Sequence, residues 1–311
     1  MQAVVIDGYG DVDVLSLQEV PRPTPAAGEV LIQTRAIGVN PVDWKTRKGR
    51  GVAPRIQQLP LILGWDVAGS VIQVGPQVTS CAVGSSVFGM VRFPNPGATY
   101  AEFVTAPVEQ LALIPEKIDT IQAAAAPLAA LTAWQALFST AHLQKGQTVL
   151  IQAAAGGVGH LAVQLAKIHG AHVIATASSR NVEFLRRLGV DEIIDYQVTP
   201  FETLGPVADL VLDPLGGEIQ ARSLKVLKPQ GYLVSLVQEP DAGLLARYGV
   251  QGSRILVHPD QEQLQAMAHL LARGQLQPHV STVLPLAEVR TAHTLSEGGH
   301  TRGKIVLQIS A

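Results

Sequence analysis

Residues 148–169 read Thr148-Val-Leu-Ile-Gln-Ala-Ala-Ala-Gly-Gly-Val-Gly-His-Leu-Ala-Val-Gln-Leu-Ala-Lys-Ile-His169, and this stretch decides the fold. Val149 to Ile151 is a short apolar run of the kind that forms a buried parallel strand. Ala154-Ala-Gly-Gly-Val-Gly159 then turns the chain, after which Leu161, Val163, Leu165, Ala166 and Ile168 recur at helical spacing. Strand, glycine turn and helix together open a dinucleotide-binding unit. Glycines let the backbone approach a pyrophosphate, and the free N–H groups at a helix start favour its charge. Ala154 stands at the first glycine position of the G-x-G-x-x-G fingerprint, where a small residue still serves a tight turn. Turns of this composition are also purely structural, so the following unit decides between the two.

That unit begins with His172-Val-Ile-Ala-Thr-Ala177, read as the second strand. An acid at its end would bind the ribose 2′-hydroxyl of NAD. From His160 to Val182 there is no acid, and Ser178-Ser179-Arg180 follows the strand. Hydroxyls and a guanidinium suit a 2′-phosphate by charge and by hydrogen-bonding geometry, which points to NADPH. A solvated loop arginine is the competing reading of Arg180, which rests on charge and position alone.

The remaining composition sets bounds. A chain of 311 residues, 47% hydrophobic and 15% charged, is long enough for two domains with sizeable cores. Formal net charge is -2 and no basic run is long, so neither nucleic acid nor an acidic membrane is indicated. The single cysteine, Cys81, excludes an internal disulfide framework and suits a reducing compartment. Gln2–Ile6 reads as a strand from the outset, without a signal-peptide pattern, and the apolar run 123–131 holds Pro127 and is short for a bilayer. A soluble cytoplasmic protein is expected.

Along the chain, residues 1–115 are dense in glycine, proline and β-branched residues, with strand candidates at 2–6, 29–37, 67–74 and 86–91. Composition turns helical across 119–140. From 148 onward strands and helices alternate: a helix near 180–188, strands at 192–195 and 208–213, a helix across 218–227, and strands at 232–237 and 254–258. That alternation argues a doubly wound parallel sheet. An amphipathic helix after Gln261, a strand near 279–284 and a closing strand 304–309 then return to the first domain.

Read as a set, these features resemble the medium-chain dehydrogenase/reductase superfamily, and within it the zinc-independent quinone oxidoreductase branch that includes alkenal and enone reductases. The matching words are Gly38-Val-Asn-Pro-Val-Asp-Trp-Lys45, Leu63-Gly-Trp-Asp-Val-Ala-Gly69, Pro127-Leu-Ala-Ala-Leu-Thr-Ala-Trp134 and the glycine turn. Leu188-Gly189, Ile194-Asp-Tyr196 and Gly299-His-Thr-Arg-Gly-Lys-Ile-Val306 complete them. The resemblance implies an α/β protein: a GroES-like β-rich catalytic domain at 1–118 and 260–311, and a Rossmann NADPH-binding domain with a doubly wound parallel sheet at 119–259. It also implies a homodimer, paired through the last strand of that sheet.

Zinc-dependent relatives place a cysteine ligand where this chain has Asn40 and a histidine ligand where it has Trp65. They also carry a four-cysteine lobe, whereas here one cysteine and no histidine precede His142. His169 and His172 flank Gly170 and read as loop histidines. No metal is expected, so the substrate oxygen must be polarised by hydrogen bonds as hydride arrives, and a proton must reach the product. The resemblance puts Asn40, Asp43 and Lys45 in the segment facing the nicotinamide. From the residues themselves, Asn40-Pro41 is equally a turn with Asp43 capping the next helix. Asp66 matches an acidic position of the family, or is a buried partner to a local backbone group.

Cofactor contacts carried over fall on Thr132, Gly156, Gly157, Val158, Ser178, Tyr196 and Leu236, with Ala155 in the same turn; Arg180 matches no fixed family residue and is assigned to the 2′-phosphate by charge and position alone. For Tyr196, packing at a strand end is the alternative. The implied activity is NADPH-dependent reduction of a quinone or of the C=C bond of an α,β-unsaturated carbonyl. Two alternatives stay open: a reductase of a narrow partner-bound or thioester substrate, and an NADPH-binding structural or regulatory protein of low turnover.

Overall fold

The computed structural model describes residues 1–56 and 58–309. Two compact units divide the chain, one formed by Met1–Leu131 with the segment from His258 onward, the other by Thr132–Val257. The first compact unit thus extends past residue 118 to Leu131, within the helix Pro127–Trp134. The physical reason is visible at Gly38, where a Cβ would lie 2.3 Å from the Ala124 carbonyl oxygen. The helix Thr120–Ala124 is pressed so closely onto the strand Glu29–Val39 that it belongs to the first core.

In the first unit the main sheet runs in the order Val280–Pro285, Lys304–Gln308, Glu29–Val39, Asp66–Val74, Ser86–Met90 and Leu111–Leu113, with Phe103–Pro107 also on Glu29–Val39. Alternating side chains turn Val30, Ile32, Val67, Val71, Val87 and Val104 into one buried cluster. Lys304–Gln308 pairs antiparallel with Glu29–Val39, Ile305 opposite Val39. That pairing returns the C-terminal segment to the first unit and sets Lys304 beside the end of the long strand. There Asn40 ends the extended run. Pro41, whose fixed φ suits a first helical position, starts the short helix Pro41–Arg47.

In the second unit six parallel strands run in the order Glu192–Asp195, His172–Ala177, Thr148–Ile151, Ala208–Asp213, Leu227–Ser235 and Gln251–Arg254. Numbered within the unit this is 3-2-1-4-5-6, the dinucleotide-fold order, with its switch point between the first and fourth strands. Leu150, Ile174, Val211, Leu233 and neighbours fill its core. Two sequence expectations shift. The helix expected across 218–227 ends at Ser223, and the fifth strand already starts at Leu227. The sixth strand is the polar Gln251–Arg254 instead of the apolar run 254–258; only Ile255 prolongs it, its N–H reaching the Ser235 carbonyl at 3.0 Å. As an edge strand it has one neighbour, so apolar alternation is not demanded of it.

Among the described residues, no helix is long and apolar enough to cross a membrane.

Candidate functional site

Two constellations carry the residues singled out in the sequence, one in each unit. In the first, Asn40 and Asp43 come together at the start of the helix that also carries Lys45. The Asn40 N–H donates to Asp43 Oδ2 at 2.7 Å, the helix-start bond that a carboxylate three residues on can make. The Asn40 side chain is 1% exposed. Its Nδ2 donates to Asp66 Oδ2 at 2.8 Å, while the Lys304 ammonium donates to its Oδ1 and lies 3.5 Å from Asp66. A carboxylate at one end and an ammonium at the other fix which way the amide points. Asp66 Oδ1 in turn accepts the Leu128 N–H at 2.8 Å, so this acid does partner a backbone group as well as a family position. Burial pushes the Asp66 carboxyl up and the Lys304 ammonium down, each opposed by the charge of the other.

These contacts engage Asn40 and Asp43 from several sides. Both residues are buried, and their partners inside the first unit fix the start of the helix. Lys45 is half-buried on that helix, its ammonium 5.6 Å from the Trp44 ring centroid.

Asp43 leads into a second set of groups. Tyr100 Oη donates to Asp43 Oδ2 at 2.7 Å and lies 3.1 Å from His293 Nε2. His293 Nδ1 faces Arg47 Nη1 at 3.3 Å, and Arg47 Nη2 reaches Glu297 at 2.9 Å. Burial pushes the Asp43 carboxyl up to about 7, against the lowering effect of the Asn40 N–H and the Tyr100 hydroxyl. Burial, aided by the Arg47 charge, holds His293 down at about 3. Tyr100, His293, Arg47, Glu297 and Lys304 all escaped the sequence reading. Their partners lie 57, 193, 246, 250 and 264 positions away along the chain, so no local pattern marks them.

The two positions that are zinc ligands in zinc-dependent relatives hold Asn40, engaged as above, and Trp65. Trp65 is buried, donates its indole N–H to the Asn95 carbonyl at 2.7 Å and stacks edge-on against Phe93. His172 faces Glu192 at 2.9 Å and the His169 ring lies 5.0 Å from that of Phe138. Among the described residues, no group of three or more His, Cys, Asp or Glu is placed to hold a metal ion.

In the second unit the glycine turn sits at the carboxyl end of the first strand. Its entry is held rigidly. Ala153 adopts a left-handed φ of 49° and donates its N–H to Thr176 Oγ1, and the Ala154 N–H reaches the Thr176 carbonyl at 3.1 Å. Thr176 donates onward to Gln152 Oε1 at 2.6 Å. At Gly159, the first residue of the helix Gly159–His169, a Cβ would stand 2.5 Å from the Ala153 oxygen and 2.7 Å from Ala154 Cα. Only glycine lets the helix start this close to the turn. The N–H groups of Ala155, Gly157 and Val158 find no acceptor among the described residues. Unclaimed donors just ahead of a helix N-terminus fit a pyrophosphate.

The other expected cofactor residues gather at the same edge of the sheet. Ser178 and Arg180 follow the second strand, Tyr196 follows the third and Leu236 the fifth. The Tyr196 N–H donates to the Ala177 carbonyl at 3.2 Å, which places Tyr196 directly beside Ser178. Tyr196 is 54% exposed, so packing does not account for it. The nearest acid in register, Asp195 opposite Ala177, is turned to its own backbone, accepting the Gln197 N–H at 3.0 Å. Thr132 is buried on the helix Pro127–Trp134.

A β-rich unit with a returning C-terminus and a six-stranded dinucleotide fold define a medium-chain dehydrogenase/reductase. Residues 26–116 match the alcohol dehydrogenase GroES-like domain and residues 188–307 match the zinc-binding dehydrogenase family. The chain is 34% identical to the chloroplast envelope quinone oxidoreductase homolog of Arabidopsis thaliana, covering 99% of this chain and 98% of that protein. It is 35% identical to the chloroplastic NADPH-dependent alkenal/one oxidoreductase of the same plant, covering 99% and 79%. The solved quinone oxidoreductase of Coxiella burnetii superposes with a TM-score of 0.94 at 38% identity, over 100% of this chain and 99% of that one. The chain belongs to the quinone oxidoreductase branch of the medium-chain dehydrogenase/reductase superfamily.

Proposed function

We propose that the protein is a zinc-independent oxidoreductase that transfers hydride from NADPH to a quinone or to the C=C bond of an α,β-unsaturated carbonyl. The observation that carries this reading is the turn 153–159, with its three unclaimed N–H donors, together with Ser178 and Arg180 just after the second strand, where NAD-binding chains have an acid. When bound, NADPH supplies the hydride. Ala155 to Val158 hold its pyrophosphate, Ser178, Arg180 and Tyr196 its 2′-phosphate, and Thr132 and Leu236 the nicotinamide half.

Hydride arriving at the β-carbon of an enone builds negative charge on the carbonyl oxygen, and donors at that oxygen lower the barrier. Asn40, Asp43, Asp66 and Lys304 fix the start of the helix Pro41–Arg47. Lys45, further along that helix and half-buried, is the donor we assign to the substrate oxygen; Lys45→Met should lower kcat/KM for an enone while leaving NADPH affinity unchanged. The names borne by the relatives support quinones and alkenals as substrates.

NADPH oxidation followed at 340 nm with a panel of quinones and enones, before and after dialysis against a strong chelator, tests the proposal. Turnover that survives the chelator is expected. Tight NADPH binding without turnover on any acceptor would favour a structural or regulatory protein instead.

The cytoplasm remains the proposed compartment, supported by the lone Cys81. A homodimer is proposed through the edge strand Gln251–Arg254, whose free edge suits self-complementary pairing. A solution mass near the chain's 32.9 kDa would contradict it.

A further inference from the structure

Arg47 is the starting point, because a guanidinium has donors only and does not lose its proton. At 3.3 Å from Arg47 Nη1, His293 Nδ1 must therefore be the accepting nitrogen. A neutral ring with Nδ1 accepting carries its proton on Nε2, and Nε2 faces Tyr100 Oη at 3.1 Å. Tyr100 thus receives a hydrogen bond and has its own proton free to give, to Asp43 Oδ2 at 2.7 Å. The Asn40 N–H occupies the same Oδ2 at 2.7 Å. Every bond in the sequence has one permitted direction, and all of them end on a single carboxylate oxygen.

The second oxygen is different. Asp43 Oδ1 is buried with no hydrogen-bond partner among the described residues. With Oδ2 already accepting two donors, a proton can be carried only on Oδ1. We infer that Arg47, His293 and Tyr100 form a one-way donor chain onto Oδ2 of Asp43, which leaves Oδ1 as the place where Asp43 stores a proton for the protonation step of the reaction. The use of that proton rests on the proposed activity; the chain and its direction do not.

Electrostatics agree with the geometry. Of the groups facing Asp43, burial and the Asp66 charge favour the protonated carboxyl, while the Asn40 N–H, Tyr100 and the Lys304 charge favour the ionised form; the balance lies near neutrality. His293 stays neutral throughout the working range, as a fixed tautomer requires. Glu297 and Lys48 anchor the outer end: Arg47 is wholly buried against Glu297, which Lys48 also contacts.

The test combines two readouts that need no turnover with one that does. Nitrogen-15 NMR of labelled ring histidines in the intact protein should show His293 as the neutral Nε2–H form from pH 5 to 9; an Nδ1–H ring overturns the chain. Infrared difference spectra should show a carboxyl band that titrates near neutrality, absent in Asp43→Asn. In Tyr100→Phe the loss of one donor to the carboxylate should move that band's midpoint up by about one to two pH units. A midpoint unchanged in Tyr100→Phe also overturns the proposal.

In turnover, kcat/KM for an enone should fall above the same midpoint in the natural protein and lose this dependence in Asp43→Asn. An identical profile in both would remove Asp43 from proton storage while leaving NADPH-dependent reduction intact. Absence of turnover in the natural protein would instead contradict the proposed function, with the spectra still deciding the chain.

Discussion

Replacing His293 by glutamine should change the pH dependence of stability in a direction opposite to replacing Asp43 by asparagine. The two buried groups titrate in opposite senses. His293 is held at about 3 against 6.5, so as pH falls below 6.5 the unfolded chain takes up a proton that the folded protein refuses. Its contribution is present above 6.5 and is lost as pH falls towards 3. Asp43 is raised to about 7 from 3.8, so the folded protein holds a proton that the unfolded chain has released. That contribution is present below 3.8 and is lost as pH rises towards 7. Between about pH 4 and 6.5 both operate, each with a slope of about 1.4 kcal/mol per pH unit, and they cancel.

Each variant exposes the slope of the other group. Relative to the natural protein, His293→Gln should lose about 3 kcal/mol more stability at pH 6.5 than at pH 4.5, and Asp43→Asn should show the reverse trend of similar size. Taking differences against the natural protein removes the contribution of every other titrating group. Urea unfolding followed by tryptophan fluorescence, where Trp65 reports on the first unit, reads both. Parallel lines for all three proteins would show that neither group is held away from its ordinary range, and the reasoning from burial would fail.

Other expectations concern the second unit. Arg180→Ala should weaken NADPH binding by about 1–3 kcal/mol, the scale of a charge-assisted contact, and leave NADH nearly unaffected; calorimetric titration with both coenzymes checks this, and equal losses would show that Arg180 does not read the phosphate. Gly159→Ala brings a Cβ against backbone atoms 2.5 and 2.7 Å away, so the helix must retreat from the turn. A loss of about 1–3 kcal/mol in stability is expected, with weaker NADPH binding seen by nucleotide fluorescence; unchanged affinity would place the coenzyme elsewhere.

The two units differ in how far the sequence discloses them. In the second, function sits in consecutive residues: the turn 153–159 and the run 178–180 are local, and their place at the strand ends follows from the alternation of elements. Misplacement occurred where local composition misleads, as when the apolar 255–257 outweighed the polar edge strand Gln251–Arg254. In the first unit, Asn40, Asp43 and Asp66 were recognisable as positions but not as roles. Their roles depend on Lys304, Tyr100 and His293, brought in by the pairing of Lys304–Gln308 with Glu29–Val39 and by the helix Val289–Glu297. Long-range packing of that kind leaves no periodic or spaced signal. The buried amide of Asn40 is the clearest case, since its engagement is legible only once Lys304 and Asp66 stand at its two ends.

Hydride transfer itself can be followed with NADPH deuterated at the reactive C4 position of the nicotinamide, an enone as acceptor and mass spectrometry of the product. Reduction of the C=C bond should place one deuterium on the former β-carbon and one solvent hydrogen on the α-carbon, with NADPH consumed in equal amount. A reduced product without deuterium, or NADPH left unconsumed beside every enone and quinone offered, would contradict the assignment of this chain as an NADPH-dependent reductase.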